Sequence, residues 1–169
     1  MNFLSEEQQF WRDTVERVMQ EEITCEYVRQ CDMDRAYPYE AYDKVAKLGW
    51  LRLLIPEAQG GDGGTIFDYA LMCEGLARYG FDFATAFMVS TFTAMNIVKF
   101  GTEEQQQRFL PAFMRGDMRF SISISEPSAG SDAANTRTRA EQRDDGWAIT
   151  GQKLWCSGAA AKSTTIAML

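Results

Sequence analysis

The chain has 169 residues, 46% of them hydrophobic, and a formal charge of -7. That length suits one ordinary domain, or a small domain with part of a second, and that apolar content supports a packed core rather than disorder. The acidic balance argues against nucleic acid and anionic membrane as general partners, while the lack of histidine and of any C-x-x-C pair removes zinc sites and histidine-based triads from these residues. Cys25, Cys31, Cys73 and Cys156 are expected as free thiols, ahead of a Cys25–Cys31 disulfide. The richest apolar stretch, 84–100, is interrupted by Ser90, Thr91, Thr93, Asn96 and Lys99, so no membrane span is predicted. The acidic start Met-Asn-Phe-Leu-Ser-Glu-Glu lacks a basic leader, which predicts a cytoplasmic protein.

Ser5 with Gln8 is a capping-box pattern, and Glu6 and Glu7 suit the positive end of a helix dipole. Trp11, Val15, Val18, Met19 and Glu22 then share a face, predicting an amphipathic helix over 5–21. The charged stretch 22–36 is expected to hold a short helix and a loop around 32–37. Pro38 fits a first helical position, and Ala41, Val45, Ala46 and Leu48 keep helical spacing until Gly49. Leu51–Ile55 is predicted to be extended, leading into a Gly60-Gly61 turn that connects helices. Thr65 caps another helix, with Ile66, Tyr69, Ala70, Cys73, Leu76 and Ala77 as its apolar face and Gly80 as its end.

Asp82–Phe100 is apolar on nearly every side, the pattern of a helix in the middle of a bundle. From the residues alone its Met and Phe stripe is core before it is a ligand pocket. Gly101 ends it, Thr102 with Gln105 boxes the next helix, and Phe109, Leu110 and Phe113 face inward until Gly116. Pro111 should kink that helix or break it. After residue 118 the period changes to two, which places a domain boundary near 116–118. Phe120, Ile122 and Ile124 point one way and Ser121, Ser123 and Ser125 the other, as in a strand with one apolar and one polar face. Pro127 stops the pairing. Beyond it, Gly130 permits unusual backbone angles and close approach of a ligand. The amides of 129–131 with the Ser128 and Ser131 hydroxyls form either a cradle for a phosphate oxygen or a plain polar turn closed by Asp132; the residues alone favour the turn. Asp144-Asp-Gly146 predicts a hairpin, and 147–150, 153–157 and 164–169 read as further short antiparallel strands.

Four motifs carry a resemblance. Ser125-Glu-Pro-Ser-Ala-Gly-Ser-Asp132 resembles the Thr-Glu-Pro-x-Ala-Gly-Ser-Asp motif of the acyl-CoA dehydrogenase family of flavoproteins, with a serine that keeps the leading hydroxyl. Ile55-Pro-Glu-Ala-Gln-Gly-Gly61 is similar to its Ile/Val-Pro-Glu-x-x-Gly-Gly loop. Gly101-Thr-Glu-Glu-Gln105, with Leu110-Pro111 and Arg115-Gly116, is similar to its last N-terminal helix. Thr150-Gly-Gln-Lys-Leu-Trp-Cys-Ser157 resembles its Asn-Gly-x-Lys-x-Trp-Ile-Thr strand, departing at Thr150, Cys156 and Ser157.

The resemblance implies a multidomain α and β protein. An all-α N-terminal helical bundle over 1–117 is followed, over 118–169, by the first antiparallel strands of a β-barrel-like middle domain, truncated before a C-terminal helical bundle. It implies FAD, with backbone groups of Ile122, Ile124 and Ser125 and the Ser125 hydroxyl facing the pyrimidine side of the flavin, and Gly130 and Ser131 touching the cofactor or the CoA portion of the substrate. It also places Trp155 on the ring system, and the Cys156 backbone and Ser157 hydroxyl at the ring edge that receives hydride. Without the motif, Trp155 would be a core aromatic on a sheet face.

The implied reaction is α,β-dehydrogenation of an acyl-CoA thioester, with an electron-transfer flavoprotein as acceptor and a homodimer or homotetramer as the full-length state. The family's base is a carboxylate in the C-terminal domain, expected beyond Leu169. No catalytic residue is assigned here, and Glu126 belongs to the flavin motif rather than to that role. On these terms the 169 residues are expected to be an inactive N-terminal fragment. Two other readings stay open: a flavin oxidase or monooxygenase on the same fold, and a non-catalytic helical interaction module.

Overall fold

The computed structural model describes residues 4–168; Met1–Phe3 of the acidic start and Leu169 of the last predicted strand lie outside them. Helices come first: α1 (Glu6–Glu21), α2 (Cys25–Met33), α3 (Tyr39–Lys47), α4 (Ile66–Ala77), α5 (Phe81–Phe100) and α6 (Glu103–Met114). The strands β1 (Arg119–Ser123), β2 (Arg139–Arg143), β3 (Gly146–Thr150) and β4 (Thr164–Met168) follow. The change from helix to strand falls between Met114 and Arg119.

The helix starts follow from local chemistry. Ser5, Thr65 and Thr102 each accept from the amide three residues on, and Gln8, Asp68 and Gln105 return a bond to the cap's own amide. Each such cap contributes about 1 kcal/mol. Val15, Val18 and Met19 of α1 are buried as expected, whereas Glu22 is the exposed C-cap. In α4 the buried residues are Tyr69, Leu71, Met72 and Leu76, while Ile66 and Ala70 face outward. Apart from Asp68, Glu74 and Gly75 that helix is apolar on every side, so periodicity is a weak guide to its register. Pro111 neither ends nor interrupts α6, which continues to Met114.

Leu51–Ile55 is not extended. A single 3-10 turn, Trp50–Arg52, follows Gly49, whose φ of +80° is left-handed. The carbonyls of Arg52, Leu53 and Ile55 then accept from the amides of Asp62, Gly64 and Gly63. The glycine loop has folded back onto the apolar run and taken the hydrogen bonds a sheet would have used.

α5 lies at the centre, packed against α4, α6 and β1. By length and composition alone it could cross a membrane, its interrupting polar residues notwithstanding. Here it buries Phe83, Ala84, Phe87, Ser90, Thr91, Thr93 and Ala94 within the fold. Phe87 stacks on Tyr42 with ring centroids 5.4 Å apart, and Phe120 of β1 packs on Phe113 at 5.6 Å. The core therefore runs from the bundle into the first strand.

β2 and β3 form the expected antiparallel hairpin, with Arg143 opposite Gly146 across a two-residue turn. β1 and β4 instead pair in parallel, a correction to the all-antiparallel expectation. The long connection between them leaves room for such a crossover and contains the hairpin. The other edge of β1 is covered by a side chain. Ser90 Oγ accepts from the Phe120 amide and donates to the Phe120 carbonyl, both at 3.0 Å. Neighbouring amides of a strand point to opposite edges, and the Arg119 amide bonds Ser163 on the β4 side. Ser90 thus caps the edge that β4 leaves open.

Candidate functional site: the β1 strand and the 150–157 segment

The alternation along β1 is real, but its polar face is the buried one. Ser121 and Ser123 are buried with Phe120, Ile122 is half-buried and Ile124 is exposed. The serines turn inward because they have partners there. Ser123 Oγ donates to Cys156 Sγ at 2.8 Å, and Ser121 Oγ lies 3.0 Å from the same sulfur and 2.5 Å from the Ser157 carbonyl.

Residues 153–157, expected as a strand, have no regular structure. The Leu154 amide donates to the Ser125 carbonyl at 2.8 Å, and then the chain turns away at Trp155, whose φ of +59° is left-handed. Such a conformation costs a β-bulky or aromatic residue on the order of 1–3 kcal/mol and ends an extended run. It also presents the indole to the outside, 86% exposed, so Trp155 is not a core aromatic.

A buried ion pair ties the two segments together. Lys153 Nζ lies 3.0 Å from Glu126 Oε1, with side-chain exposures of 8% and 4%. The same ammonium donates to the Ile124 carbonyl at 3.0 Å. The Glu126 carboxylate also accepts from the Arg137 amide at 2.7 Å and the Thr138 amide at 2.9 Å. These bonds offset the desolvation that makes an unsupported buried pair costly. The Thr138 hydroxyl beside it, the Arg137 and Thr138 amides and the Lys153 ammonium pull the Glu126 carboxyl from 4.5 down to about 2. A group held so firmly ionised is a structural pin, not a proton acceptor.

The pin has a pH signature. Its folded value lies below its unfolded one, so its contribution to stability is complete above about 4.5 and is lost as pH falls toward about 2. The Glu126 carboxyl is expected to titrate near 2 by carbon NMR, with the Arg137 and Thr138 amides losing protection in the same window. A midpoint at the ordinary 4.5 would contradict this account.

Beyond the pin, Glu126 and Ala129 exchange backbone bonds across a tight turn with Pro127 at its second position. Gly130 and Ser131 lie exposed past that turn. Gly130 is not left-handed, and nothing stands within 4 Å of where its Cβ would be, so the fold does not call on its special freedom. The structure brings Ile124 and Ser125 to 153–154, and Cys156 and Ser157 to the serines of β1. Gly130 and Ser131 stand outside that junction.

Sequence reasoning missed the Arg119 nest. This side chain is 7% exposed, bonds Asp43 at 2.9 Å and the Lys162 carbonyl at 3.3 Å, and lies 4.5 Å from the Tyr42 ring centre. It anchors the start of β1 to α3 and to the loop before β4. An arginine opening an apolar strand was the available signal, as were Glu126 and Lys153 at fixed places in the two motifs.

One cavity borders this junction, and a second lies along α5 away from it. The first, about 690 Å³, is bordered by Arg119, Phe120, Cys156 and Ser157 together with Tyr37 and Tyr39. The other, about 670 Å³, is almost wholly apolar and lined by Leu54, Tyr69, Met88, Val89, Phe92 and Met95. The Met and Phe stripe of α5 is thereby divided: Phe83 and Phe87 belong to the core, Met88, Phe92 and Met95 to a groove.

The family model for the acyl-CoA dehydrogenase N-terminal domain matches residues 5–117. The chain belongs to the acyl-CoA dehydrogenase family. A probable acyl-CoA dehydrogenase of Bacillus subtilis, YngJ, is 34% identical over 98% of this chain and 44% of its own length. Butyryl-CoA dehydrogenase from Megasphaera elsdenii superposes with a TM-score of 0.84 at 28% identity, over 98% of this chain and 45% of that one. An acyl-CoA dehydrogenase from Bacillus anthracis, solved in complex with FAD, gives 0.79 at 30% identity over 91% of this chain and 27% of that one. The chain thus spans less than half the length of these relatives. The match over 5–117 takes in α1–α6, and the strands β1–β4 follow it.

Proposed function

We propose that the whole protein is an FAD-dependent acyl-CoA dehydrogenase, to which this chain contributes the helical domain and one face of the flavin site. The observation that carries the proposal is the junction of β1 with 153–157. There an exposed indole and the side chains of Ile122 and Ile124 offer apolar surface, and the Ser125 and Ser157 carbonyls are already committed to Leu154 and Ser121. Their hydroxyls remain for a ligand. Apolar faces edged by hydroxyl donors fit a planar ring with a polar rim, so these residues suit a flavin. Bound there, the flavin would supply hydride acceptance.

The protein's own share is binding and orientation. Trp155 would cover the ring, the backbone of Ile122, Ile124 and Ser125 with the Ser125 hydroxyl would face its pyrimidine side, and the Ser157 hydroxyl with the Cys156 backbone would meet its edge. Gly130 and Ser131 take the remainder of the cofactor or the CoA portion beside it. The apolar groove along α5 excludes water and takes the acyl chain. The α-proton requires a carboxylate, which Glu126 is too firmly ionised and too enclosed to provide. We assign that base outside these residues, and expect the 169-residue chain alone to be inactive. The protein is further proposed to be cytoplasmic, to assemble as a homodimer or homotetramer, and to pass electrons to an electron-transfer flavoprotein.

Anaerobic addition of saturated acyl-CoA thioesters to the full-length, FAD-loaded protein tests the reaction. Bleaching of the flavin band with appearance of the 2-enoyl product is expected. An unchanged flavin with short, long and branched thioesters alike would contradict it.

A further inference from the structure

We infer that Cys156 is a positioning residue, whose thiol joins β1 to the 155–158 segment in a hydrogen-bond chain of fixed direction. What this does for a flavin rests on the function proposed above; the chain of bonds does not. A serine hydroxyl has a single proton to give. The Ser157 carbonyl can only accept, so the 2.5 Å contact uses the proton of Ser121. The 3.0 Å contact between Ser121 and Cys156 then needs the thiol as donor, while Ser123 donates to the sulfur at 2.8 Å. The order is Ser123 to Cys156, Cys156 to Ser121, Ser121 to the Ser157 carbonyl, with every proton used once.

The location explains the need. Trp155 holds a left-handed φ of +59° and requires anchors on both sides. Leu154 is bonded to Ser125 on one side, and Cys156 and Ser157 are bonded to β1 on the other. The isoleucine of the family motif would fill this position without a hydrogen bond. The buried serines of β1 and the cysteine are therefore complementary features of this chain.

Infrared difference spectra of the full-length protein, wild type against Cys156→Ser, test the direction. The S–H stretch of Cys156 is expected at lowered frequency, rising in Ser121→Ala, where its acceptor is lost, and moving less in Ser123→Ala. Absence of that band, or an unchanged frequency in Ser121→Ala, overturns the assignment. Positioning is read separately from exchange of the Leu154 amide. Cys156→Ala should expose it roughly fivefold more, the scale of one hydrogen bond, and Cys156→Ser should restore it because a hydroxyl both donates and accepts. If serine does no better than alanine, Cys156 only fills space. FAD affinity should follow the same pattern. A wild-type protein that binds no FAD would refute the proposed function, while the infrared and exchange results would still decide the role of Cys156.

Discussion

Gly61→Ala is expected to destabilise the protein by about 3 kcal/mol, at the upper end of what overpacking costs. A Cβ at Gly61 would fall 1.9 Å from the Ile55 carbonyl oxygen and 2.4 Å from its carbon. Those are backbone atoms, so no rotamer change relieves the clash. The loop would have to lift, and with it the bonds that Asp62, Gly63 and Gly64 make to 52–55. Gly130→Ala is the matched control, since nothing lies within 4 Å of its Cβ position. It should change stability by less than about 0.5 kcal/mol, as an exposed substitution does. Urea midpoints of the two variants decide the matter. Equal midpoints would mean that the glycine loop is looser than its contacts indicate.

Ser90→Ala should cost about as much, for a different reason. The substitution removes one oxygen from a fully buried position and creates almost no cavity. It leaves the Phe120 amide and carbonyl without their partner on an edge that water does not reach. Leaving two buried backbone groups unsatisfied costs roughly 3 kcal/mol in total, at about 1–3 each. The effect should be local first: hydrogen exchange at the Phe120 amide rises before the helices open. Because Ser90 fastens β1 to α5, cofactor affinity should fall in the same variant. An unchanged denaturation midpoint together with a protected Phe120 amide would show that Ser90 is not what holds this edge of the strand.

The two variants also mark where the sequence could be read and where it could not. Ser5, Thr65 and Thr102 announced their helices because a capping box is complete within four residues. Asp144-Asp-Gly146 announced its hairpin for the same reason. The errors fell wherever a distant partner decided the outcome. Leu51–Ile55 has the composition of a strand, but its carbonyls are claimed by the amides of Asp62, Gly63 and Gly64 several residues later. Ser121 and Ser123 read as the polar face of a strand, yet they are buried, because Cys156 and the Ser157 carbonyl supply partners that no period reveals. The parallel pairing of β1 with β4 likewise depends on a connection that crosses the hairpin. At the candidate site the motifs located both segments, but not what joins them. The Glu126–Lys153 pin requires knowing that two motif positions far apart in sequence face one another.

The most direct measurement of the central claim is an FAD titration of the full-length protein followed by visible absorption, beside its Trp155→Ala and Ser125→Ala variants. A shifted, structured flavin spectrum is expected for the wild type. Both variants should bind more weakly, by roughly fivefold or more for each lost contact. A spectrum identical to free FAD, or wild-type affinity in both variants, would contradict the assignment of β1 and 153–157 as a flavin face.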